Sequence, residues 1–258
     1  MACMCIGMML HGGVITAMGT FFVFSDYMKP ALRMAALMRT PVKFIYSHDA
    51  FRVGEDGPTH QPVEHEAQLR LMEKLQNHMG EDSVRVFRAA DADEMTVCWQ
   101  MAMENMDTPT ALILSRQNIK SLPEGNDYQK ARKGAYVVAG SYEQYDIILL
   151  ASGSEVSTLV EGAELLRKDG VRCRVVSVPS EGLFRRQPVG YQLLVLPSEA
   201  KVFGLTAGLP VTLQGLVGCH GRVFGMNSFG FSAPYKVLDE KLGFTPENVY
   251  KQVKESLA

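Results

Sequence analysis

The residues best suited to chemistry in this chain lie in one loop, Ser47–Pro62. Two imidazoles, those of His48 and His60, belong to it. Its three carboxylates are those of Asp49, Glu55 and Asp56. Imidazole and carboxylate groups exchange protons near neutral pH and hydrogen-bond polar ligands. A loop so rich in titratable groups, directly after a strand, is typical of a site for proton chemistry.

The elements that position this loop follow from the hydrophobic pattern. The apolar, β-branched run Pro41–Tyr46 precedes the loop and is typical of a buried strand. Strands alternate with helices on both sides of it, which indicates βαβ units and a parallel sheet. The predicted strands of this half are Val14–Phe22, Val42–Tyr46, Val84–Arg88 and Ala111–Leu114. The predicted helices are Met1–Leu10, Ser25–Met38, Glu64–His78 and Ala92–Met106.

A second alternating unit follows a polar stretch, Ile119–Lys133, that reads as a linker. We therefore predict an α/β protein with two open, mostly parallel α/β domains in tandem. They span residues 1–118 and 135–258, with a linker over 119–134. The strands predicted in the second domain are Tyr136–Val138, Asp146–Leu150, Val175–Val178, Lys201–Leu205 and Val223–Met226. Its predicted helices are Glu155–Lys168, Tyr235–Leu242 and Pro246–Ser256.

Three segments should deliver functional side chains to one edge of the first sheet. Ligands of open parallel sheets bind at the carboxyl ends of the strands, where these segments begin. Aromatic residues follow the first strand, the imidazole loop follows the second, and a guanidinium follows the last. The candidate site residues are Phe21, Phe24, Tyr27, His48, Asp56, His60 and Arg116.

Each candidate also has an ordinary structural interpretation. The aromatics could be core residues, the histidines satisfied loop residues, Asp56 a turn former and Arg116 half of a surface ion pair. A zinc site built from His48, His60 and His65 has suitable residue types but no closed ligand spacing. We therefore predict no metal site in this chain.

Composition excludes several functional classes. The formal net charge is −2 and no long charged run exists, which gives no support for binding nucleic acid or a membrane surface. No apolar stretch has transmembrane length, and Met1–Leu10 lacks the charged leader of a signal peptide. Five cysteines without a CxxC pair favour reduced thiols in a cytoplasmic protein.

The run Gly54–Glu64 closely resembles the signature of the transketolases, which are thiamine-diphosphate enzymes. Further segments match in order along the chain, and the stretch Phe224–Leu242 is similar but less regular. The matching segments are Leu10–Gly13, Gly19–Phe21, Arg33–Met38, Ala111–Asn118 and Ala151–Val156. The resemblance covers the second half of the family: a pyrimidine-binding domain lacking its start, and the C-terminal domain.

The resemblance implies a role for each candidate residue. The residues matching Phe21, Phe24 and Tyr27 form the pocket of the aminopyrimidine ring. Those matching His48 and Arg116 hold the substrate phosphate. The reaction moves a two-carbon ketol unit between sugar phosphates of the pentose phosphate pathway. The residue matching Asp56 orients the substrate hydroxyl next to the reacting carbonyl. The residue matching His60 bonds the substrate hydroxyls near that carbonyl and assists proton transfer.

The resemblance also implies what lies outside this chain. The family's Gly-Asp-Gly motif for the diphosphate and Mg²⁺ (or Ca²⁺) is absent, because Asp56-Gly57 and Asp169-Gly170 stand in other contexts. A cofactor-activating Arg-Glu pair would precede Met1, as would the first strand. We expect this chain alone to bind no cofactor and to be inactive. We expect a homodimer, or an N-terminal partner bound through the first domain.

Two other interpretations stay open on the sequence. One is a non-catalytic dimerisation or regulatory module that has kept the fold. The other is half of an enzyme like deoxyxylulose-phosphate synthase, which shares the Asp-Gly-Pro-Thr-His core found at 56–60. The run Ser115–Asn118 and the pair Gly54-Glu55 favour a transketolase over that synthase.

Overall fold

The computed structural model describes residues 1–257 and contains two sheets. The first sheet has four parallel strands in the order β1-β2-β4-β3, which confirms the parallel arrangement expected from the sequence. Its strands are β1 (Ala17–Phe21), β2 (Lys43–Ser47), β3 (Arg85–Arg88) and β4 (Thr110–Ile113). Its helices are α1 (Ala2–His11), α2 (Lys29–Leu37), α3 (His65–Glu73) and α4 (Ala92–Glu104).

The second sheet has five strands in the order β5-β7-β6-β8-β9, and only β5 runs antiparallel to its neighbour. The fold is therefore mixed α/β with mostly parallel sheets, as predicted. Its strands are β5 (Tyr136–Ala139), β6 (Ile147–Ala151), β7 (Cys173–Ser177), β8 (Val202–Leu205) and β9 (Arg222–Phe224). Its helices are α5 (Glu155–Lys168), α6 (Glu181–Arg185), α7 (Val189–Val195), α8 (Val211–Val217), α9 (Tyr235–Leu242) and α10 (Pro246–Leu257).

One apolar core runs through both units. Phe51 and Phe87 of the first unit belong to the same buried cluster as Leu149 and Phe244 of the second. The rings of Phe51 and Phe244 lie 4.7 Å apart between centroids. Because apolar burial is the main favourable term in folding, this shared core fixes the two units against each other.

The helix predicted over Ser25–Met38 was wrong at its start. Residues Phe22–Tyr27 form a 3₁₀ helix, and α2 begins only at Lys29. Pro30 occupies the first turn of α2, where its missing N–H costs no hydrogen bond. Ser25 is buried inside the 3₁₀ turn, so it does not cap the helix.

The helix predicted over Glu64–His78 also ends early, at Glu73. The side chain of Asn77 accepts hydrogen bonds from the backbone N–H groups of Met79 and Glu81. This local turn competes with a helix, and it returns the chain towards β3.

The stretch predicted as a linker is partly ordered as a 3₁₀ helix over Tyr128–Lys133. Asp91, at the start of α4, accepts hydrogen bonds from the N–H of Leu122 and the hydroxyl of Tyr128, both at 2.9 Å. These bonds hold the polar segment against the first unit. The short helices α6, α7 and α8 escaped sequence analysis because each has fewer than eight residues and lacks a full amphipathic period.

The apolar opening helix α1 buries only one face. Ile6 packs into the core of the first unit, whereas Met4 is 69% exposed and Met8 is 50% exposed. Across residues 1–257 the helices are all too short or too polar to cross a bilayer.

A buried carboxylate lies between the two units without a cationic partner. Glu94 of α4 is fully buried, and it accepts hydrogen bonds from Ala90 N–H at 2.5 Å and Ser177 Oγ at 2.7 Å. Burial raises its pKa to about 7, although those two hydrogen bonds oppose the rise. Two neighbouring groups also act on this pKa: the charge of Asp91 raises it, and Tyr136 lowers it. The thiol of Cys98 lies nearby, and its own pKa is raised by burial and by the charge of Glu94.

This carboxylate predicts a pH-dependent stability. Glu94 has a higher pKa folded than unfolded, so its protonated form stabilises the fold below about pH 5, and stability falls as pH rises through 7. Glu94→Gln keeps both hydrogen-bond partners without the charge. We expect it to raise the free energy of unfolding at pH 8 by about 1–3 kcal/mol and to have little effect at pH 5.

Urea unfolding of both proteins at several pH values measures this difference. Asp93→Asn, on the exposed side of the same helix, is the matched control and should parallel the wild type. An equal effect of Glu94→Gln at pH 5 and pH 8 would contradict a titrating buried carboxyl.

Candidate functional site

The carboxyl ends of three strands of the first sheet meet at one edge. The parallel register places Phe21 at the end of β1 beside Ser47 at the end of β2. Tyr46 of β2 lies in turn beside Ile113 of β4. The segments that leave these strands therefore begin side by side, as expected for a parallel sheet.

Rings from two of these segments are in contact. The ring of Phe21 stacks on the imidazole of His48, with centroids 3.6 Å apart and planes inclined by 17°. The ring of Phe24 meets the imidazole of His60 edge to face at 5.5 Å. Phe21 and Phe24 are 6.1 Å apart, so both imidazoles border one aromatic wall.

The third predicted aromatic extends this wall into solvent. The ring of Tyr27 lies 6.2 Å from that of Phe24, and the residue is 85% exposed. The interpretation of the three aromatics as core residues is therefore wrong for Tyr27. Phe21 and Phe24 are only partly buried. All three rings have surface available to a ligand.

Each imidazole is held through Nδ1 by a neighbouring hydroxyl. His48 Nδ1 lies 2.9 Å from Ser47 Oγ, and His60 Nδ1 lies 2.9 Å from Thr59 Oγ1. Within residues 1–257, Nε2 of both rings forms no hydrogen bond. His48 also adopts a left-handed backbone with φ of 63°, which is uncommon for a residue other than glycine. Each ring therefore has one nitrogen fixed and the other free for a ligand.

Opposite charges act on the imidazole of His48. The pKa of His48 is lowered, first by burial and then by the guanidinium of Arg116, while the carboxylate of Asp56 opposes both. His60 also contributes to this lowering. Arg116 and Asp56 are exposed and form no ion pair within the described chain. Arg116, Asp56 and His60, the other polar residues predicted for the site, thus all lie within electrostatic reach of His48.

His65, the third histidine near the loop, belongs to a different cluster. Its Nε2 lies 3.2 Å from Asp26 Oδ2, and Glu64 completes a group of possible metal ligands. The ammonium of Lys29 bonds Asp26 and Gln68 at the same place. A cation of the protein thus already pairs with one of the two carboxylates of this cluster.

The turn at Ser152–Glu155, which follows β6 and opens α5, is occupied by a side chain of the first unit. The guanidinium of Arg88 fills it: Nη1 donates to Ser152 O at 2.6 Å and to Glu155 Oε2 at 2.5 Å. A side chain at Gly153 would lie 2.5 Å from Arg88 Cζ, so the turn accommodates only glycine. The first unit therefore occupies the ligand edge of the second sheet.

A cavity of about 370 Å³ also opens between the units. Arg52 and Asp239 line it, and they pair with each other at 2.7 Å between Nε and Oδ1. Its wall does not include either imidazole. Its wall also carries other polar side chains, among them Lys236 and Glu240, but it contains none of the residues predicted for the site.

The residues that support the loop from behind were not among the predicted site residues. Asp49, next to His48, pairs with Arg88 of β3, with Oδ2 and Nη2 2.7 Å apart. Gln61, next to His60, donates through Nε2 to Gly54 O and Phe231 O. These partners lie 39 and 170 residues away in sequence, so no local pattern could reveal them.

Comparison with known proteins identifies the family of both units. The model described as "Transketolase, pyrimidine binding domain" matches residues 1–121. The model described as "Transketolase-like TK C-terminal domain" matches residues 134–245. The two matches are consecutive and do not overlap, and each contains one of the two sheets.

Individual relatives agree with this match. A transketolase of Staphylococcus epidermidis is 43% identical over 251 residues, which is 96% of this chain and 37% of that protein's length. The solved transketolase from Leishmania mexicana has a TM-score of 0.89 and 36% identity, covering 99% of this chain and 36% of that chain. A split-gene transketolase, solved as an inactive β4 tetramer, shares the fold at 22% identity with a TM-score of 0.75, and 80% of it is covered.

The chain spans 37% of the length of the curated relative from Staphylococcus epidermidis. With both family models matched in order and with this degree of identity over nearly its whole length, the chain belongs to the transketolase family.

Proposed function

We propose that this chain supplies the pyrimidine-binding and C-terminal domains of a thiamine-diphosphate-dependent transketolase. That enzyme moves a two-carbon ketol unit from a ketose phosphate to an aldose phosphate in the pentose phosphate pathway. The observation that carries the proposal is the site itself. Two imidazoles with free Nε2 atoms border one aromatic wall, and the unpaired guanidinium of Arg116 and carboxylate of Asp56 lie within electrostatic reach of His48.

Arg116 and His48 are proposed to bind the substrate phosphate. A guanidinium donates two parallel hydrogen bonds to phosphate oxygens, and exposed, unpaired Arg116 is free to do so. The lowered pKa of His48 keeps its imidazole neutral near pH 7, so its free Nε2 can carry the proton of a neutral hydrogen-bond donor. Both act as binding residues for a part of the substrate that does not react.

Asp56 and His60 are proposed to act on the sugar hydroxyls. The carboxylate of Asp56 would accept a hydrogen bond from the hydroxyl beside the reacting carbonyl and so orient the sugar. His60, whose Nε2 is free while Nδ1 is held by Thr59, would bond the hydroxyls near the carbonyl and take or return a proton there. His60 is therefore the proposed catalytic residue of this chain.

The aromatic wall fits the ring of the cofactor. Phe21, Phe24 and Tyr27 present adjacent ring surfaces, which suit a flat heteroaromatic ring through stacking and exclusion of water. Bound thiamine diphosphate would supply the carbanion chemistry of the reaction, and this chain would supply position and the polar contacts above.

The diphosphate and Mg²⁺ (or Ca²⁺) are proposed to bind a separate region of the enzyme, because this chain does not offer a suitable set of ligands for them. Among residues 1–257 the cluster Asp26, Glu64 and His65 is the one with suitable ligand types, and Lys29 already pairs with its Asp26. The relatives are much longer than this chain. We therefore propose that the chain alone is inactive and that an N-terminal transketolase region completes the site.

We further propose a homodimer in the complete enzyme and a cytoplasmic location. The exposed methionines of α1 give the first unit an apolar surface suited to an interface. A split-gene transketolase exists as a β4 tetramer, so a chain of this extent can be a subunit in its own right. The cysteines are unpaired, as expected in a reducing compartment.

Complementation tests the proposed function. The isolated chain is expected to show no ketol transfer and no thiamine-diphosphate binding at micromolar cofactor. Adding the N-terminal region of a transketolase relative, including its Arg-Glu segment, should restore both. In that complex His60→Ala should lower transfer about a hundredfold, as for loss of a proton-transfer group. His78→Ala, at an exposed position outside the site, is the control and should leave transfer unchanged.

Two results would contradict the proposal. Turnover by the isolated chain would show that another residue activates the cofactor. Failure of complementation, with both pieces folded and associated, would favour the non-catalytic module.

The phosphate pair predicts a measurable shift in the titration of His48. Arg116→Gln removes a nearby positive charge, so the pKa of His48 should rise towards its ordinary value, and Asp56→Asn should lower it further. Proton NMR of the imidazole signals in the isolated chain measures both changes, with His78 as the internal control. An unchanged pKa of His48 in Arg116→Gln would contradict the proposal that these two side chains lie close enough to bind one phosphate together. In the complemented enzyme Arg116→Ala should mainly raise KM for phosphorylated sugars.

A further inference from the structure

A segment of the second unit lies along the loop that carries His60. Ser232 Oγ donates a hydrogen bond to the backbone oxygen of Glu55 at 2.7 Å. A side chain at Gly54 would lie 3.4 Å from Ala233 O, and one at Gly57 would lie 3.3 Å from Ser232 Cβ. The backbone of residues 230–233, here called the docking segment, therefore touches the catalytic loop along its length.

One buried amide joins the docking segment to the loop. Gln61 directly follows His60 and is 2% exposed. Its Nε2 donates to Gly54 O at 3.1 Å, at the other side of the loop, and to Phe231 O at 2.9 Å, in the docking segment. Both amide protons of this side chain are used, so its orientation is fixed by both units.

The other atom of that amide is confined by Gly230. A β-carbon at position 230 would lie 1.9 Å from Gln61 Oε1, so the docking segment approaches the amide as closely as glycine allows. Within the described chain Oε1 has no hydrogen-bond partner. A buried amide oxygen without a partner carries a desolvation cost. A contribution to stability alone therefore does not explain why an amide side chain occupies this position.

The docking segment is itself anchored beyond its end. Helix α9 begins at Tyr235, two residues after the segment, and carries Asp239. Asp239 Oδ1 accepts from Arg52 Nε at 2.7 Å, and Arg52 Nη1 pairs with Glu155 Oε1 at 2.6 Å. The early part of the catalytic loop is thus bound to the second unit by buried ion pairs, and its late part by Gln61.

We propose that Gln61 is a positioning residue for His60, and that through it the docking segment of the second unit sets the geometry of the catalytic loop. The inference rests on the proposed function, because it concerns the placement of His60 for ketol transfer. Gln61 is buried behind the loop and its bonds all go to backbone oxygens, so it contacts no substrate. A displacement of about 1 Å in a catalytic group reduces turnover by up to a hundredfold, so the placement of His60 should be sensitive to this amide.

Gly230→Ala tests the proposal from the second unit, without altering any residue of the loop. The new methyl group must displace Gln61 Oε1, so the amide loses its two bonds. Gly190→Ala is the matched control: it lies in the same unit, and its added methyl group meets no atom within 4 Å. Gln61→Met keeps the volume of the side chain but removes the amide. It provides a second test of the same contact if the Gly230→Ala protein does not fold.

The first measurement is hydrogen exchange of residues 54–62 in the isolated chain, followed by mass spectrometry. Gly230→Ala and Gln61→Met should speed exchange in this loop at least tenfold, and Gly190→Ala should not. Because this readout needs no turnover, it holds even if complementation fails and the proposed function falls. Unchanged exchange in both variants would overturn the positioning role.

The second measurement is ketol transfer in the complemented enzyme. Both variants should lower kcat about tenfold with KM for the sugar phosphate changed less than twofold, because within the described chain neither Arg116 nor His48 forms a hydrogen bond with the docking segment. The double variant Gln61→Met with Gly230→Ala should be no worse than either single one. Two results would show that the contact is merely structural. One is a loss of activity that is fully accounted for by loss of folded protein, and the other is additive effects in the double variant.

Discussion

Arg88 is buried at the boundary of the two units and pairs with a carboxylate from each. Its guanidinium lies 2.7 Å from Asp49, beside His48, and 2.5 Å from Glu155, at the start of α5. Burial raises the pKa of Asp49 against the pull of Arg88. Burial also acts to raise the pKa of Glu155, but Arg88 and Arg52 hold it below its ordinary value. The cluster is stable only as a whole, because an unpaired buried charge is strongly destabilising.

The position of this cluster explains how the second unit supports the site of the first. Arg88 fills the turn after β6, where an open parallel sheet would otherwise bind an anion. The same contact fixes Asp49 and therefore the residue before it, His48. These buried ion pairs form only when the two units pack in one relative orientation, so they favour that orientation over others. We infer that the two sheets act as a single support for the loop between them.

Much of this architecture follows from local pattern, and the part that does not depends on long-range contacts. The strands were predicted to within a few residues and α5 and α9 at their full extent, because buried runs and capped amphipathic helices have a clear period. The carboxyl-edge rule likewise brought Phe21, His48 and His60 together. The end of α3 and the 3₁₀ turn after β1 were missed because side-chain hydrogen bonds and tertiary packing override helical period there. Nothing local marks Arg88 or Gln61 as partners of a second unit.

The claim that one buried cluster couples the two units is tested most directly by urea unfolding with two probes. Trp99, the only tryptophan, reports the first unit by fluorescence, and far-ultraviolet circular dichroism reports both. We expect one coincident transition in the wild type and separated transitions in Arg88→Met, which leaves Asp49 without its partner and Glu155 with Arg52 alone. Separate transitions already in the wild type, or coincident ones in Arg88→Met, would contradict it.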